Sequence, residues 1–158
     1  MKITTLIVVL ILLALPSLAK DKSKYAHKRP IIPTDKLVAM TLYYEAGNQS
    51  LQGKIAVAAV IWNRAEGNSK NFKYVIFSKK QFSCWNHNAK RPKITNNESY
   101  SDCKDIAILM CSGSFNVPNR LEGVNAYHER RVNPPWGKSK WLAMQIEDHL
   151  FYKIPERS

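Results

Sequence analysis

The sequence predicts a mainly helical α+β domain with a small β part. Apolar residues recur at helical spacing in residues 34–62 and again in residues 103–111. The segment His149–Tyr152 is short, aromatic and apolar, which is typical of a strand. The chain has 158 residues, the length of one ordinary domain. We therefore expect one modest core built mostly from helices.

The first two helices have recognisable ends. Thr34 is a good N-cap for the first helix, Asp35 suits its first turn, and Gly47 is suited to ending it. Ser50 should then cap a second helix. This second helix is rich in alanine, so it can pack closely against a neighbouring helix.

The rest of the chain is less regular. Residues 72–77 are rich in aromatic and β-branched side chains, which favours a strand or an extended loop. Ser99 with Asp102 resembles a capping box before a third helix, which Gly113 should end. Residues 114–140 have no clear period, and two consecutive prolines interrupt them.

Residues 1–19 are expected to be a secretory signal peptide. Lys2 provides a basic start, a long apolar run follows, and after Pro16 the segment ends in a small-x-small triplet. An uncleaved anchor is the alternative, although the apolar run is short for a spanning helix, which needs about 20 residues. Residues 20–33 then form a basic arm, and residues 34–158 form the folded domain. We expect export to the periplasm, the envelope or the exterior.

The charge of the chain indicates which partners it meets. Lys and Arg total 24 against 12 Asp and Glu, so the formal net charge is +12. For an exported protein this favours an anionic envelope, such as peptidoglycan carboxylates, teichoic acids or lipid head groups. A generally soluble basic surface is the alternative. A basic nucleic-acid binder is disfavoured because no RNA-binding motif is found. We expect a monomer with no nucleic-acid partner.

The three cysteines leave two interpretations open. Cys103 and Cys111 lie eight residues apart in a predicted helix, so they would be about 12 Å apart, too far for a bridge. Either Cys84 is one end of a single disulfide, or all three are small buried apolar residues. No cysteine or histidine spacing is typical of zinc, and no HExxH helix occurs. We predict no metal and no cofactor.

Glu45 is distinguished by its position in the first predicted helix. It follows Thr41 by four residues and Val38 by seven, so it shares a face with apolar residues. It also lies in the last turn, where the helix dipole disfavours a negative charge. Burial and dipole both favour the protonated form of a carboxyl group, which can then act as a general acid. The alternative is an exposed glutamate at a helix end.

Several motifs of the chain, taken in order, resemble the cell wall hydrolase family, which includes spore-cortex-lytic enzymes and several phage lysins. The resemblance covers roughly residues 36–153, nearly all of the domain. Its motifs are Leu-Tyr-Tyr-Glu-Ala-Gly-Asn-Gln at 42–49, Gly-Lys-Ile-Ala-Val-Ala-Ala-Val-Ile-Trp-Asn-Arg at 53–64, Lys-Gln-Phe-Ser-Cys-Trp at 80–85, Tyr-His at 127–128, Val-Asn-Pro-Pro-Trp at 132–136 and Asp-His-Leu-Phe-Tyr at 148–152.

The resemblance implies a lysozyme-like fold that acts on the glycan strand of peptidoglycan, with Glu45 at the position of the catalytic glutamate. It would make residues 34–158 a catalytic domain. One motif departs from the family, whose helix end usually reads Glu-Ala-Arg-Gly-Glu, because here it reads Glu-Ala-Gly-Asn-Gln. The arginine and the second acid are missing, so no role of that second acid carries over.

The number of well-placed acids separates two mechanisms. A glycoside hydrolase ordinarily uses two carboxylates roughly 5–10 Å apart. A lytic transglycosylase of the resembled family can work with one, and we favour this because no other acid has a position comparable to that of Glu45. A muramidase-type hydrolase and a non-catalytic peptidoglycan-binding module of the same fold are the alternatives. The remaining candidate acids, all among polar neighbours, are Glu66, Glu98, Glu122, Glu129 and Glu147.

Sugar binding needs polar groups for hydroxyls and aromatic faces for the apolar faces of rings. Seven residues of the family-like motifs meet this need and are our predicted substrate contacts, although their aromatic members could equally belong to the core. They are Gln81, Phe82, Ser83, Trp85, Tyr127, His128 and Trp136.

Overall fold

Two helices at the start of the fold carry nearly half of its core. The computed structural model describes residues 31–79, 81–86 and 89–155. Helix α1 (Thr34–Ala46) begins after Pro33, which takes the N-cap position without a side-chain bond, so the predicted cap at Thr34 is wrong by one residue. Gly47 ends α1 as predicted. Helix α2 (Leu51–Arg64) begins after Ser50, whose hydroxyl accepts from the Gly53 N–H at 3.3 Å, as predicted.

Helix α3 (Phe72–Phe77) replaces the strand or loop predicted there. Its buried residues are Phe72, Val75 and Ile76, which lie three and four positions apart and therefore share one helical face. This burial outweighs the strand preference of aromatic and β-branched residues, which depends strongly on context.

Helix α4 (Asn97–Ser112) begins earlier than the predicted capping box. Its N-cap is Asn96, whose side chain accepts from the Ser99 N–H at 3.0 Å, so Ser99 is not the cap. Gly113 ends the helix as predicted, in the left-handed region with φ +80°. Helix α4 packs mainly against α1.

A three-stranded antiparallel sheet follows the helices. Its strands β1 (Ala126–Glu129), β2 (Leu142–Ile146) and β3 (His149–Tyr152) are arranged in the order β1-β3-β2. The sequence predicted β3 but neither β1 nor β2. Tyr127 pairs with Phe151 in the register of β1 and β3. The architecture is a small, mainly helical α+β domain, as predicted.

The expected signal peptide and nearly all of the basic arm, up to residue 30, lie outside the described residues. Within the described ranges, no helix is long and apolar enough to cross a membrane. All three cysteines are free thiols, so the predicted alternative of a disulfide from Cys84 is wrong.

A buried ion pair joins α2 to α4. The Lys54 ammonium lies 2.9 Å from the Asp102 carboxylate, and Lys54 is only 4% exposed. A buried ammonium without a partner is costly, because its desolvation is no longer offset by a nearby charge. Asp102 therefore holds Lys54 within a core that is otherwise apolar.

We expect Asp102→Asn to lower the free energy of unfolding by about 2 kcal/mol, a value reduced from that of fully buried pairs because Asp102 is partly exposed. Urea denaturation measures this. Asp105→Asn is the matched control, since Asp105 is an exposed acid of the same helix. Equal stability of the two variants would contradict a structural role for the pair.

Candidate active site

The carboxylate of Glu45 receives hydrogen bonds from two distant segments. Glu45 is half-buried in the last turn of α1, as its spacing predicted. The Tyr127 hydroxyl of β1 donates to its Oε2 atom at 2.7 Å. The Cys84 N–H approaches its Oε1 atom at 3.5 Å, a long contact. The two carboxylate oxygens therefore differ, with Oε2 firmly bound and Oε1 only weakly bound.

The Tyr127 side chain is held so that it donates to Glu45. Its ring stacks on Phe151 at a centroid distance of 5.7 Å and meets the His149 ring edge-on at 5.3 Å. Burial raises the pKa of the Tyr127 phenol well above its usual value, and the charge and hydrogen bond of Glu45 raise it further. The phenol therefore stays protonated at neutral pH and remains a hydrogen-bond donor.

The end of α2 fixes the segment that leads into β1. Asn63 donates through Nδ2 to the carbonyls of Leu121 at 2.9 Å and Val124 at 2.8 Å. Arg64 donates through Nε to the carbonyl of Asn125 at 2.6 Å. Burial lowers the pKa of the Arg64 guanidinium, and its interaction with Tyr127 opposes that shift. These three bonds position Tyr127 two residues downstream.

The turn Ser83–Trp85 is anchored to α1 one helical turn before Glu45. The Trp85 indole N–H donates to the Thr41 hydroxyl at 2.8 Å, and that hydroxyl donates to the Leu37 carbonyl at 2.7 Å. Trp85 also packs edge-on against Phe77 at 5.5 Å. Its indole is therefore largely a structural anchor, in a position where we predicted a sugar contact.

The predicted contact at Phe82 needs correction. The Phe82 side chain is only 1% exposed and belongs to the core cluster, so its ring has no face for a sugar. Its neighbours Gln81 and Ser83 are exposed. In extended backbone such as that of Phe82, adjacent side chains point in opposite directions, which explains why one member of the motif is buried and its neighbours are not.

A second aromatic cluster, separate from the rings of Tyr127, His149 and Phe151, forms where β1 meets β3. His128 stacks on Tyr152 at 5.1 Å and meets Trp136 edge-on at 5.4 Å. The His128 Nε2 atom lies 2.9 Å from the Tyr152 hydroxyl. A Cβ atom at Gly137 would lie 2.9 Å from that same nitrogen, so glycine permits this close approach. The fold thus brings together half-buried His128 and Trp136, two predicted substrate contacts that come from different motifs of the sequence.

None of the other candidate acids shares a hydrogen bond with Glu45 within the described ranges. Glu147 instead accepts from the Ser50 N–H at 2.9 Å and so caps α2. Gln49, at the position of the missing family acid, is buried, and its Oε1 has no partner in the described structure. The five glutamates other than Glu45 that were considered as partners are all exposed: Glu66, Glu98, Glu122, Glu129 and Glu147.

Four residues of this site were not among the predicted contacts. Cys84, Arg64 and Tyr152 lie inside the motifs that carry the resemblance, so their motif membership was the available signal. Thr41 was interpreted as a helix residue, and nothing in its spacing indicates a side-chain bond to the site. No cluster of three or more metal-binding side chains occurs in the part of the chain that the structure describes.

The buried histidine beside Tyr127 should make stability depend on pH. Burial lowers the pKa of His149 from its ordinary value of 6.5, so the folded protein binds this proton less readily than the unfolded chain. His149 therefore contributes stability that is complete above about pH 6.5 and is lost as the pH falls toward its folded pKa.

We expect His149→Phe, which keeps a ring against Tyr127, to lose less stability than the parent between pH 7 and pH 5. Thermal unfolding across this range measures the slope. An unchanged slope would mean that His149 is not the titrating group.

Comparison with known proteins identifies the family of this chain. The model of the cell wall hydrolase family matches residues 48–152, about two thirds of the chain. The match begins just after Glu45, so that residue lies outside it. No curated protein and no solved structure matches the chain. The resemblance noted in the sequence is confirmed: the chain belongs to the cell wall hydrolase family, whose enzymes act on the peptidoglycan of the cell wall.

Proposed function

We propose that the protein is a lytic transglycosylase that cleaves the β-1,4 bond between N-acetylmuramic acid and N-acetylglucosamine, with Glu45 as its one acid and base. The observation that carries the proposal is the half-buried Glu45 carboxylate, bound by Tyr127 and sharing no hydrogen bond with a second carboxylate in the described residues. A glycosidase with two carboxylates uses a partner roughly 5–10 Å away. The other candidate glutamates are all exposed, whereas Glu45 is half-buried, so none of them has an environment like that of Glu45.

The two carboxylate oxygens suit different tasks. Tyr127 holds Oε2 at 2.7 Å, which leaves Oε1 to carry the proton. Protonated Glu45 gives this proton to the glycosidic oxygen as the C1–O bond breaks. The resulting carboxylate then accepts the proton of the muramic acid 6-hydroxyl as that oxygen bonds to C1. The product is a 1,6-anhydro sugar, no water is consumed, and Glu45 regains its proton.

Residues on the turn that approaches Glu45 can supply contacts for the glycan. Gln81 and Ser83 are exposed on the turn that approaches Glu45, and both can hydrogen-bond sugar hydroxyls. His128 and Trp136 offer ring surfaces in the second aromatic cluster, which lies on the opposite face of β1 from Tyr127 because successive side chains of a strand alternate. They would therefore contact a glycan only away from Glu45. Trp85 would contact the glycan only with the edge of its ring, because the hydrogen bond to Thr41 and the packing against Phe77 hold the rest of the side chain.

Muramidase-type hydrolysis is the second candidate, and one observation favours it. The charges of Glu129, Glu45, Asp148 and Glu147 all act on His149, so three further acids lie on the same side of the fold. One of them could activate a water once the glycan is bound. A non-catalytic binding module is the third candidate, although it would need no hydrogen-bonded glutamate.

We also propose that the protein is exported. The support is the sequence of residues 1–19, and peptidoglycan lies outside the cytoplasmic membrane. The net charge of +12 would hold the enzyme near anionic envelope polymers. This attraction should weaken as salt is added.

The test of the proposed reaction is digestion of isolated peptidoglycan by the purified protein and by Glu45→Gln, with products identified by mass spectrometry. We expect anhydro-muropeptides from the parent and a rate about 10²- to 10⁴-fold lower for the variant. Glu98→Gln, an exposed glutamate on α4, is the matched control and should retain activity.

The products distinguish the candidates. Reducing-end products would establish hydrolysis and a second carboxylate. If the parent protein binds peptidoglycan without cleaving it, the result would support the non-catalytic binding module.

Tyr127→Phe tests the hydrogen bond separately from the acid. It removes one donor to Glu45 and keeps the ring that stacks on Phe151, so we expect activity about tenfold lower and a free energy of unfolding lower by about 1 kcal/mol. Product formation and thermal unfolding measure the two. Full activity would show that Oε2 does not need its donor.

A further inference from the structure

We propose that residues 138–141, the basic turn, form a second binding surface that recognises the carboxylates of peptidoglycan away from Glu45. The ammonium groups of Lys138 and Lys140 lie 5.5 Å and 5.0 Å from the centroid of one indole ring, that of Trp141. The inference concerns binding and needs no catalysis. It therefore goes beyond the proposed reaction and relies only on peptidoglycan as the polymer that the family acts on.

The backbone of the basic turn is fixed at both ends. Ser139–Trp141 is a short 3-10 helix, in which the Trp141 N–H donates to the Lys138 carbonyl at 3.0 Å. The Trp141 carbonyl accepts from the Lys153 N–H at 2.9 Å, which ties the turn to the residue after β3. An ammonium group is attracted by the negatively polarised face of an indole ring. Trp141 therefore gathers two cations that would otherwise repel each other.

The two lysines of the basic turn lack a counter-charge. Both are exposed, and no acid lies within ion-pair distance of Lys138 or Lys140 in the part of the chain that the structure describes. The next acids along the chain, Glu147 and Asp148, lie between β2 and β3, at the opposite end of β2. Two unpaired cations that share one ring raise the local positive potential. An anion is therefore the complementary partner.

The second aromatic cluster adjoins the basic turn and adds a surface for sugar rings. The Trp136 carbonyl accepts from the Lys138 N–H at 2.8 Å. The Trp136 ring meets Tyr152 edge-on at 5.7 Å, and Tyr152 directly precedes Lys153, which bonds to Trp141. A half-buried ring beside two ammonium groups suits a polymer with both sugar rings and carboxylates. Peptidoglycan has both, whereas the phosphates of teichoic acid would use only the lysines.

The basic turn is separate from the site around Glu45. Tyr127, which donates to Glu45, lies on the face of β1 that packs against Phe151. Its neighbour His128 lies on the other face and contacts Trp136, the residue that leads into the basic turn. A glycan strand held at this second surface leaves Glu45 free to act on another part of the polymer.

Binding to isolated peptidoglycan tests the lysines without catalysis. Peptidoglycan freed of teichoic acid is sedimented at low salt with Glu45→Gln protein, and the unbound fraction gives the Kd. Adding Lys138→Gln with Lys140→Gln should raise this Kd about five- to tenfold, the effect of two exposed charge contacts. Lys70→Gln with Lys73→Gln is the matched control, since it removes two other exposed lysines and the same net charge. An equal effect of the two pairs would overturn the inference, whatever products the parent makes.

Neutralising the polymer identifies the anion. Amidation of the peptidoglycan carboxylates should weaken binding by about the same factor and should abolish the difference that the Lys138 and Lys140 substitutions make. Equal binding to amidated and untreated peptidoglycan would overturn carboxylate recognition. So would soluble teichoic acid, if it displaces the protein through these lysines more effectively than soluble peptidoglycan fragments do.

Trp141→Leu tests the ring that gathers the two ammonium groups. It keeps both lysines but removes the aromatic face, so the Kd for peptidoglycan should rise about threefold, and Trp141→Phe should recover part of this loss. Thermal unfolding verifies that each variant is folded. An unchanged Kd in folded Trp141→Leu protein would contradict the arrangement.

Discussion

The hydrogen bond between Tyr127 and Glu45 is the contact on which the rest of the site depends. It joins residues 82 positions apart and connects the last turn of α1 to β1. The Glu45 carboxylate is half-buried, and among the described residues its other oxygen has only a long contact with the Cys84 N–H. Without the phenol, the charged form of Glu45 would lose its one strong donor, and its orientation would be left to the weaker bonds.

Side-chain hydrogen bonds keep this contact in place. Asn63 and Arg64 bind the carbonyls just before β1, while Trp85 binds Thr41 on α1. The helices thus hold the irregular segments from which the site is built, as rigid elements commonly do for functional loops. Among the described residues, three buried polar atoms lack partners, on Gln49, Arg64 and His149. All three belong to segments next to this contact, where local conflicts are expected if the site is functional.

The sequence predicted the parts of the structure in which apolar residues recur at a regular spacing. Glu45 was identified because apolar residues recur at helical spacing along α1. The glycine at position 47 predicted where α1 ends, and the serine at position 50 predicted where α2 begins. The strand β1 has no such pattern, so the Tyr127 contact could be expected only through the resemblance. The error at α3 has the opposite cause, since strand-forming residues were overruled by burial of one helical face. Cys84 was considered only for bridging or packing, because a sequence does not show that its backbone N–H faces the Glu45 carboxylate.

The groups beside Glu45 have a consistent electrostatic arrangement. Burial and the Glu45 charge raise the pKa values of Tyr127 and Cys84, and burial lowers that of His149. All three groups are therefore uncharged at neutral pH. A second ionisable group that changed charge in this pH range would compete with Glu45 for the proton that the proposed reaction moves. A reaction that uses one carboxylate first as acid and then as base needs that proton to stay with one residue. Neutral neighbours that only donate hydrogen bonds meet this need, whereas a second titrating carboxylate would suit hydrolysis instead.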